Sequence, residues 1–204
     1  MKNLILFMFG AILFLVAQSL LPQGSVDEMI RMNIIRTNQL FWNLGHVLII
    51  LSVPLLMHGF VRIKEMAQLV SPNKAFIGLL FVFFGLSAEA SLAALQLATE
   101  GIVSSTEEHV ARQIIANGFN TSIIQATLLI PYLLILPGSI LLAFPLFRIN
   151  NYRLLATSLT LFGLLMVSGG ILQIKALFIL AGLALVFVFW KTTSGLTHFN
   201  NSNN

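Results

Sequence analysis

The chain has 204 residues, 57% of them hydrophobic and only 9% charged, with a formal net charge of +4 and a mean hydropathy of +0.93. These values lie outside the usual range of soluble domains, and the length leaves room for one bundle and no second folded domain. The absence of cysteine excludes disulfides, cysteine–metal sites and thiol chemistry.

Six apolar runs cover 4–21, 41–61, 75–98, 122–147, 154–174 and 176–190. All but the last are long enough to cross a hydrocarbon layer of ~30 Å at ~1.5 Å per residue. The predicted fold is all-α: a polytopic membrane bundle of six transmembrane helices over residues 1–191, with two short amphipathic helices outside the membrane. Met1-Lys2-Asn3 and the first run also describe a signal peptide, with Ala17-Gln18-Ser19 as a cleavage site. The run continues to Leu21, longer than a usual signal core, which favours a retained span.

Ser25-Val26-Asp27-Glu28 has the pattern of a capping box, and Met29, Ile30, Ile34 and Ile35 then form an apolar side. A short interfacial helix is expected there. On the second span Gly45, Ser52 and Gly59 recur every seven residues as a smooth stripe that another helix can approach. On the third, Gly78, Gly85, Glu89, Gln96 and Glu100 lie within about 40° of one another, so Glu89 faces protein or a cavity and not lipid. Ser52 and Glu89 are at similar depth, ~13 Å from the outer ends of their helices, and are expected partners. Ser105-Thr106-Glu107-Glu108 repeats the capping signal before Val110, Ile114 and Ile115, with Asn117-Gly118 as its stop. Both external segments are either lids or a simple tiling of the membrane surface.

The fourth span contains Pro131, Pro137 and Pro145. Pro131 and Pro137 withhold the N–H groups that the carbonyls of Thr127 and Leu133 would otherwise accept from. Only Lys175 separates the fifth and sixth runs, a tight hairpin. The sixth, at ~22 Å, is expected to cross fully with Lys175 and Lys191 snorkelling, a re-entrant segment being the alternative. The Asn-rich tail 192–204 is expected to be disordered and cytoplasmic.

With the N-terminus inside, the inner side carries Lys2, Arg62, Lys64, Lys74, Arg148, Arg153 and Lys191. The outer side carries only Arg31, Arg36, Arg112 and Lys175. Both termini are thus predicted cytoplasmic. The pI near 9.9 reflects these span-end charges, which meet lipid headgroups, and nucleic acid is not a predicted partner.

Gln18, His46, Gln96, Gln125 and Gln173 all fall in the outer halves of their spans. They suggest either a polar vestibule floored near Glu89 and Tyr132, or interfacial amides beside a hydrogen-bonded kink. The candidate ligand-binding residues are Glu89, Ser52, His46, Gln96, Gln125 and Tyr132. An ionised acid at the depth of Glu89 costs ~2.5–3.5 kcal/mol, and no basic residue of the chain is placed to offset it, so the acid is expected to carry its proton. His46 and His58 are ~18 Å apart on one helix, too far for a shared metal or haem. No catalytic signature, phosphate loop or buried mid-span lysine is present, and no cofactor is implied.

The third span reads Gly78-Leu79-Leu80-Phe81-Val82-Phe83-Phe84-Gly85-Leu86-Ser87-Ala88-Glu89-Ala90. The passage into the fifth reads Leu136-Pro137-Gly138-Ser139-Ile140-Leu141-Leu142, then Arg153-Leu154-Leu155 to Phe162-Gly163. In this order of elements the chain resembles, as a pattern over nearly its whole length, an uncharacterised family of bacterial six-span membrane proteins. The resemblance implies a bacterial inner membrane and brings no activity. That family often has an arginine three residues before the glutamate, where this chain has Leu86. Two functions are therefore carried forward. One is a carrier or receptor for a small or lipid-like ligand around Glu89. The other is a non-catalytic scaffold docking copies of itself or a partner membrane protein.

Overall fold

In hydrocarbon a backbone must hydrogen-bond to itself, and an isolated apolar run does so as a helix. The computed structural model describes residues 2–23, 28–114 and 122–201, and every long element among them is α-helical. They are α1 (Lys2–Leu20), α2 (Glu28–Thr37), α3 (Gln39–Ala67), α4 (Pro72–Ser105), α5 (Glu108–Ile114), α6 (Ser122–Leu133), α7 (Ile135–Leu146), α8 (Arg153–Leu172) and α9 (Lys175–Asn201). A 3-10 turn at Asn150–Tyr152 joins α7 to α8.

Four stretches, Gln39–Ala67, Pro72–Ser105, Thr127–Leu146 and Asn150–Leu172, are long and apolar enough to cross a membrane. The apolar parts described for α1 and α9, Ile5–Leu20 and Lys175–Phe187, are shorter. Where six spans are expected, the described residues thus contain four helical stretches of spanning length and two shorter ones. Phe9, Phe84, Ile130, Leu164, Ile171 and Leu180 all point outward and exposed. Such a surface is unfavourable in water and matched to acyl chains.

The long helices close into a ring: α1 packs on α3, α3 on α4, α4 on α7, α7 on α8, α8 on α9, and α9 on α1. Phe7, Phe60 and Phe162 fill its centre, with centroids 6.0 Å apart between Phe7 and Phe60 and 5.9 Å between Phe60 and Phe162. The smooth stripe of α3 receives α1, where a Cβ on Gly59 would run into the Phe7 ring. The stripe of α4 receives α7 at a glycine crossing. A Cβ on Gly138 would stand 2.8 Å from Val82 N and 2.9 Å from Gly78 O.

Helices α2 and α5 sit together at one end of the ring. Met32 and Ile35 of α2, Trp42 of α3, Val103 of α4 and Ala111 of α5 form a small separate core. Arg36 and Arg112 both pair with Glu108, at 3.5 and 3.6 Å.

Three local expectations need correction. Ser105 does not cap α5: it is the last residue of α4, and its hydroxyl donates to Gly101 O at 2.5 Å. The i−4 carbonyl of a continuing helix out-competes the free N–H groups of a seven-residue one. The fourth run is not one helix, because α6 ends at Leu133 and α7 begins at Ile135. Pro137 has no N–H for Leu133, and the chain turns at Leu134, whose N–H donates to Pro131 O at 3.0 Å. The tail read as disordered continues α9 through Asn201. Ser25, Val26 and Asp27 of the first capping box, and Asn117-Gly118, lie outside the described residues.

Candidate functional site

A cavity of about 270 Å³ opens at the α2/α5 end of the ring. Helical spacing builds its walls. Glu89, Ala93 and Gln96 follow one another at i, i+4, i+7 on α4, and Trp42, His46 and Ile49 do the same on α3. Gln18 of α1 and Phe178 of α9 face them. Gly169 and Gly170 close the α8 side, and the Tyr132 ring stands directly behind Gly170, where a Cβ would meet its Cε1 at 2.6 Å.

The deep polar groups are held by a short relay. Trp42 Nε1 donates to Gln96 O at 3.1 Å. His46 Nδ1 donates to Trp42 O at 2.7 Å, with the two rings 4.6 Å apart. In the neutral imidazole this leaves Nε2 as an acceptor. Glu89 is 8% exposed, and among the described residues its carboxyl has no hydrogen-bond partner and no ion pair. Two turns further along α4, Gln96 Oε1 is buried with no partner among the described residues. At the mouth, Gln23 Nε2 donates to Gln173 O at 2.8 Å, and Lys175 Nζ donates to Ser19 O at 2.8 Å. Arg31 of α2 completes the rim.

Of the residues selected from sequence, the structure brings Glu89, His46 and Gln96 together. Ser52 is elsewhere: fully buried, it donates to Ile49 O at 2.7 Å and not to Glu89. A serine inside a helix reaches its own i−3 carbonyl more readily than a neighbouring helix. Tyr132 is buried behind the cavity wall, its hydroxyl donating to Met166 O. The side chain of Gln125 lies outside the described residues. Sequence reasoning missed Arg31 and Lys175 as rim groups and Trp42 as a lining residue. All three carry the ordinary signature of interfacial residues, and only packing distinguishes them.

Among the described residues no three His, Asp or Glu side chains gather as a metal site. No hydroxyl nucleophile lies beside His46 or Glu89 on the cavity wall. No family model matches the chain, and no curated protein or solved structure does so either.

Proposed function

We propose that this is a six-span protein of a bacterial inner membrane, both termini cytoplasmic, acting as a carrier or receptor for a small or lipid-like ligand. The ligand enters from the outer side and reaches Glu89. The observation that carries this reading is a carboxyl, unpartnered among the described residues, at the floor of a cavity open at one end of the bundle. A buried polar group left unsatisfied is costly, and a site that awaits a ligand accounts for it. The pattern-level likeness to uncharacterised bacterial six-span proteins supports the compartment. Closure of α1 and α9 into the same ring as the spanning helices supports two further crossings.

The scaffold reading is the weaker one, because the small-residue seams are occupied within the molecule. Gly59 meets Phe7 of α1, Gly78 meets α7, and Gly163 meets Ser139. Native mass spectrometry from nanodiscs tests the proposal. Wild-type protein is expected to retain a small bound mass, and Glu89→Gln to lose it with unchanged thermal stability. Equal retention by both, or by neither, would overturn the carrier or receptor reading.

A further inference from the structure

Resting on the reading of this cavity as a ligand site, we infer the ligand's chemistry: a primary ammonium that reaches Glu89, a carboxylate or phosphate that stays at the rim with Arg31 and Lys175, and a short apolar linker between them.

The deep end supplies an acid without a counter-charge and a ring-nitrogen acceptor, while the amides of Gln18 and Gln96 lie nearer the mouth. Among the described residues Glu89 has a carboxyl without a partner, and His46 a ring nitrogen left as acceptor by its Nδ1 bond to Trp42. The one indole N–H nearby is already committed to Gln96 O. An ammonium carries three N–H donors and a positive charge. It therefore donates to the Glu89 carboxylate and provides the counter-charge that the chain withholds from it. A single hydroxyl brings one donor and no charge. A quaternary ammonium brings the charge and no donor.

The rim has the opposite character. Arg31 has no ion pair among the described residues, and Lys175 spends one N–H on the Ser19 carbonyl. The acids of α5 do not neutralise them, since Glu108 is held by Arg36 and Arg112, and Glu107 lies beside His109. Two cations at the edge of a low-dielectric pocket favour an anionic group there. Between rim and floor the walls are apolar, with Ile49, Leu92, Ala93 and Phe178 facing the space. From the level of Glu89 to that of Gln96 is seven residues of helix, ~10 Å, an upper bound on the separation of the ligand's two charges, since the long side chains of Arg31 and Lys175 reach inward from the rim.

A free amino acid with a terminal amine and the ethanolamine phosphate headgroup of a lipid share this chemistry on linkers of different length. Thermal unfolding of the full chain in detergent, titrated with amine-terminated aminohexanoate and aminooctanoate, hexylamine, hexanoate and phosphoethanolamine, tests the assignment. The doubly charged probes are expected to raise the melting temperature, and about tenfold more hexylamine or hexanoate to be needed for the same shift, because each lacks one charge-assisted contact. Arg31→Gln should erase the advantage over hexylamine, and Glu89→Gln the advantage over hexanoate, with the ligand-free melting temperature of each variant reporting its fold. Repeating the aminohexanoate titration in nanodiscs identifies the source. Loss of the response in phosphatidylethanolamine but not phosphatidylcholine discs assigns the site to a lipid headgroup, and a response in both assigns it to a free molecule. Equal potency of a singly charged probe, responses that survive both substitutions, or no shift with any probe overturns the inference. If it falls while native mass spectrometry still finds a mass lost in Glu89→Gln, the cavity remains a ligand site for another chemical class. If neither measurement depends on Glu89, both readings fall together.

Discussion

At the scale of single residues, Glu89 and Ser52 show how little depth alone says about partnership. Both sit inside the bundle at similar height, yet the serine closes on its own helix while the acid is left facing open space. The reach of a hydroxyl is short and an i−3 or i−4 carbonyl is always in range, so isolated intramembrane serines satisfy themselves. A glutamate has no such option, since a carboxylate needs donors and helix interiors offer none. Gln173 is the other residue under constraint. It ends α8 in the left-handed region, at φ 52° and ψ 38°, with its N–H bonded to Gly169 O. Glycine is the usual occupant of that position, and a side chain there is strained. Gln173→Gly is expected to raise unfolding stability by up to about 1 kcal/mol, read as a higher melting temperature in detergent. The backbone carbonyl that accepts from Gln23 is unaffected by the change. A lower melting temperature would mean instead that the Gln173 side chain stabilises the rim by more than the strain costs.

At the scale of elements, the glycine crossing of α4 and α7 governs how the ring closes beside the cavity. Gly138 lies against Val82 N and Gly78 O, which are backbone atoms that no side-chain rotation can clear. Gly138→Ala therefore forces the two helices apart and is expected to destabilise the protein by about 1–3 kcal/mol, measured by thermal or denaturant unfolding in the same detergent. Gly101, on α4, has nothing within 4 Å of its Cβ position. Gly101→Ala is expected to be stabilising by about 0.5–1 kcal/mol through helix propensity alone. Opposite signs at Gly138 of α7 and Gly101 of α4 would identify packing, and not propensity, as the role of Gly138. If both substitutions stabilise, the crossing is looser than its geometry implies.

At the scale of the whole molecule, the ring places α2, α5, the cavity mouth and four basic residues at one end. The other end holds the Arg62–Glu65 pair and the Lys74 and Arg148 groups over the Phe144 ring. The count of lysines and arginines predicts that both termini lie inside the cell. A reporter fused after Lys191 is expected to behave as cytoplasmic, and a tag inserted near Ser105 to be reachable from outside the inner membrane. An external C-terminal reporter would mean that 176–190 does not cross or that the first run is not a span. The mouth of the cavity would still lie with α2 and α5, but the side from which a ligand arrives would have to be reassigned.

The amino-acid pattern by itself determined the helical class, the approximate extent of the long helices, the two glycine seams and the inward placement of Glu89. Each follows from a period of 3.6 residues and from the cost of exposing polar backbone or charge to hydrocarbon, and both act along a single helix. The break at Leu134, the self-satisfied Ser52, the failure of Ser105 as a cap and the position of Tyr132 behind Gly170 were decided by competition between alternative partners, some on neighbouring helices. So were the rim charges, since Arg31 and Lys175 look like any interfacial cation until α2 and α9 are brought beside Gln18 and Gln173. One-dimensional periodicity gives the face on which a residue lies; only the packed ring determines whether that face meets another helix or an open cavity.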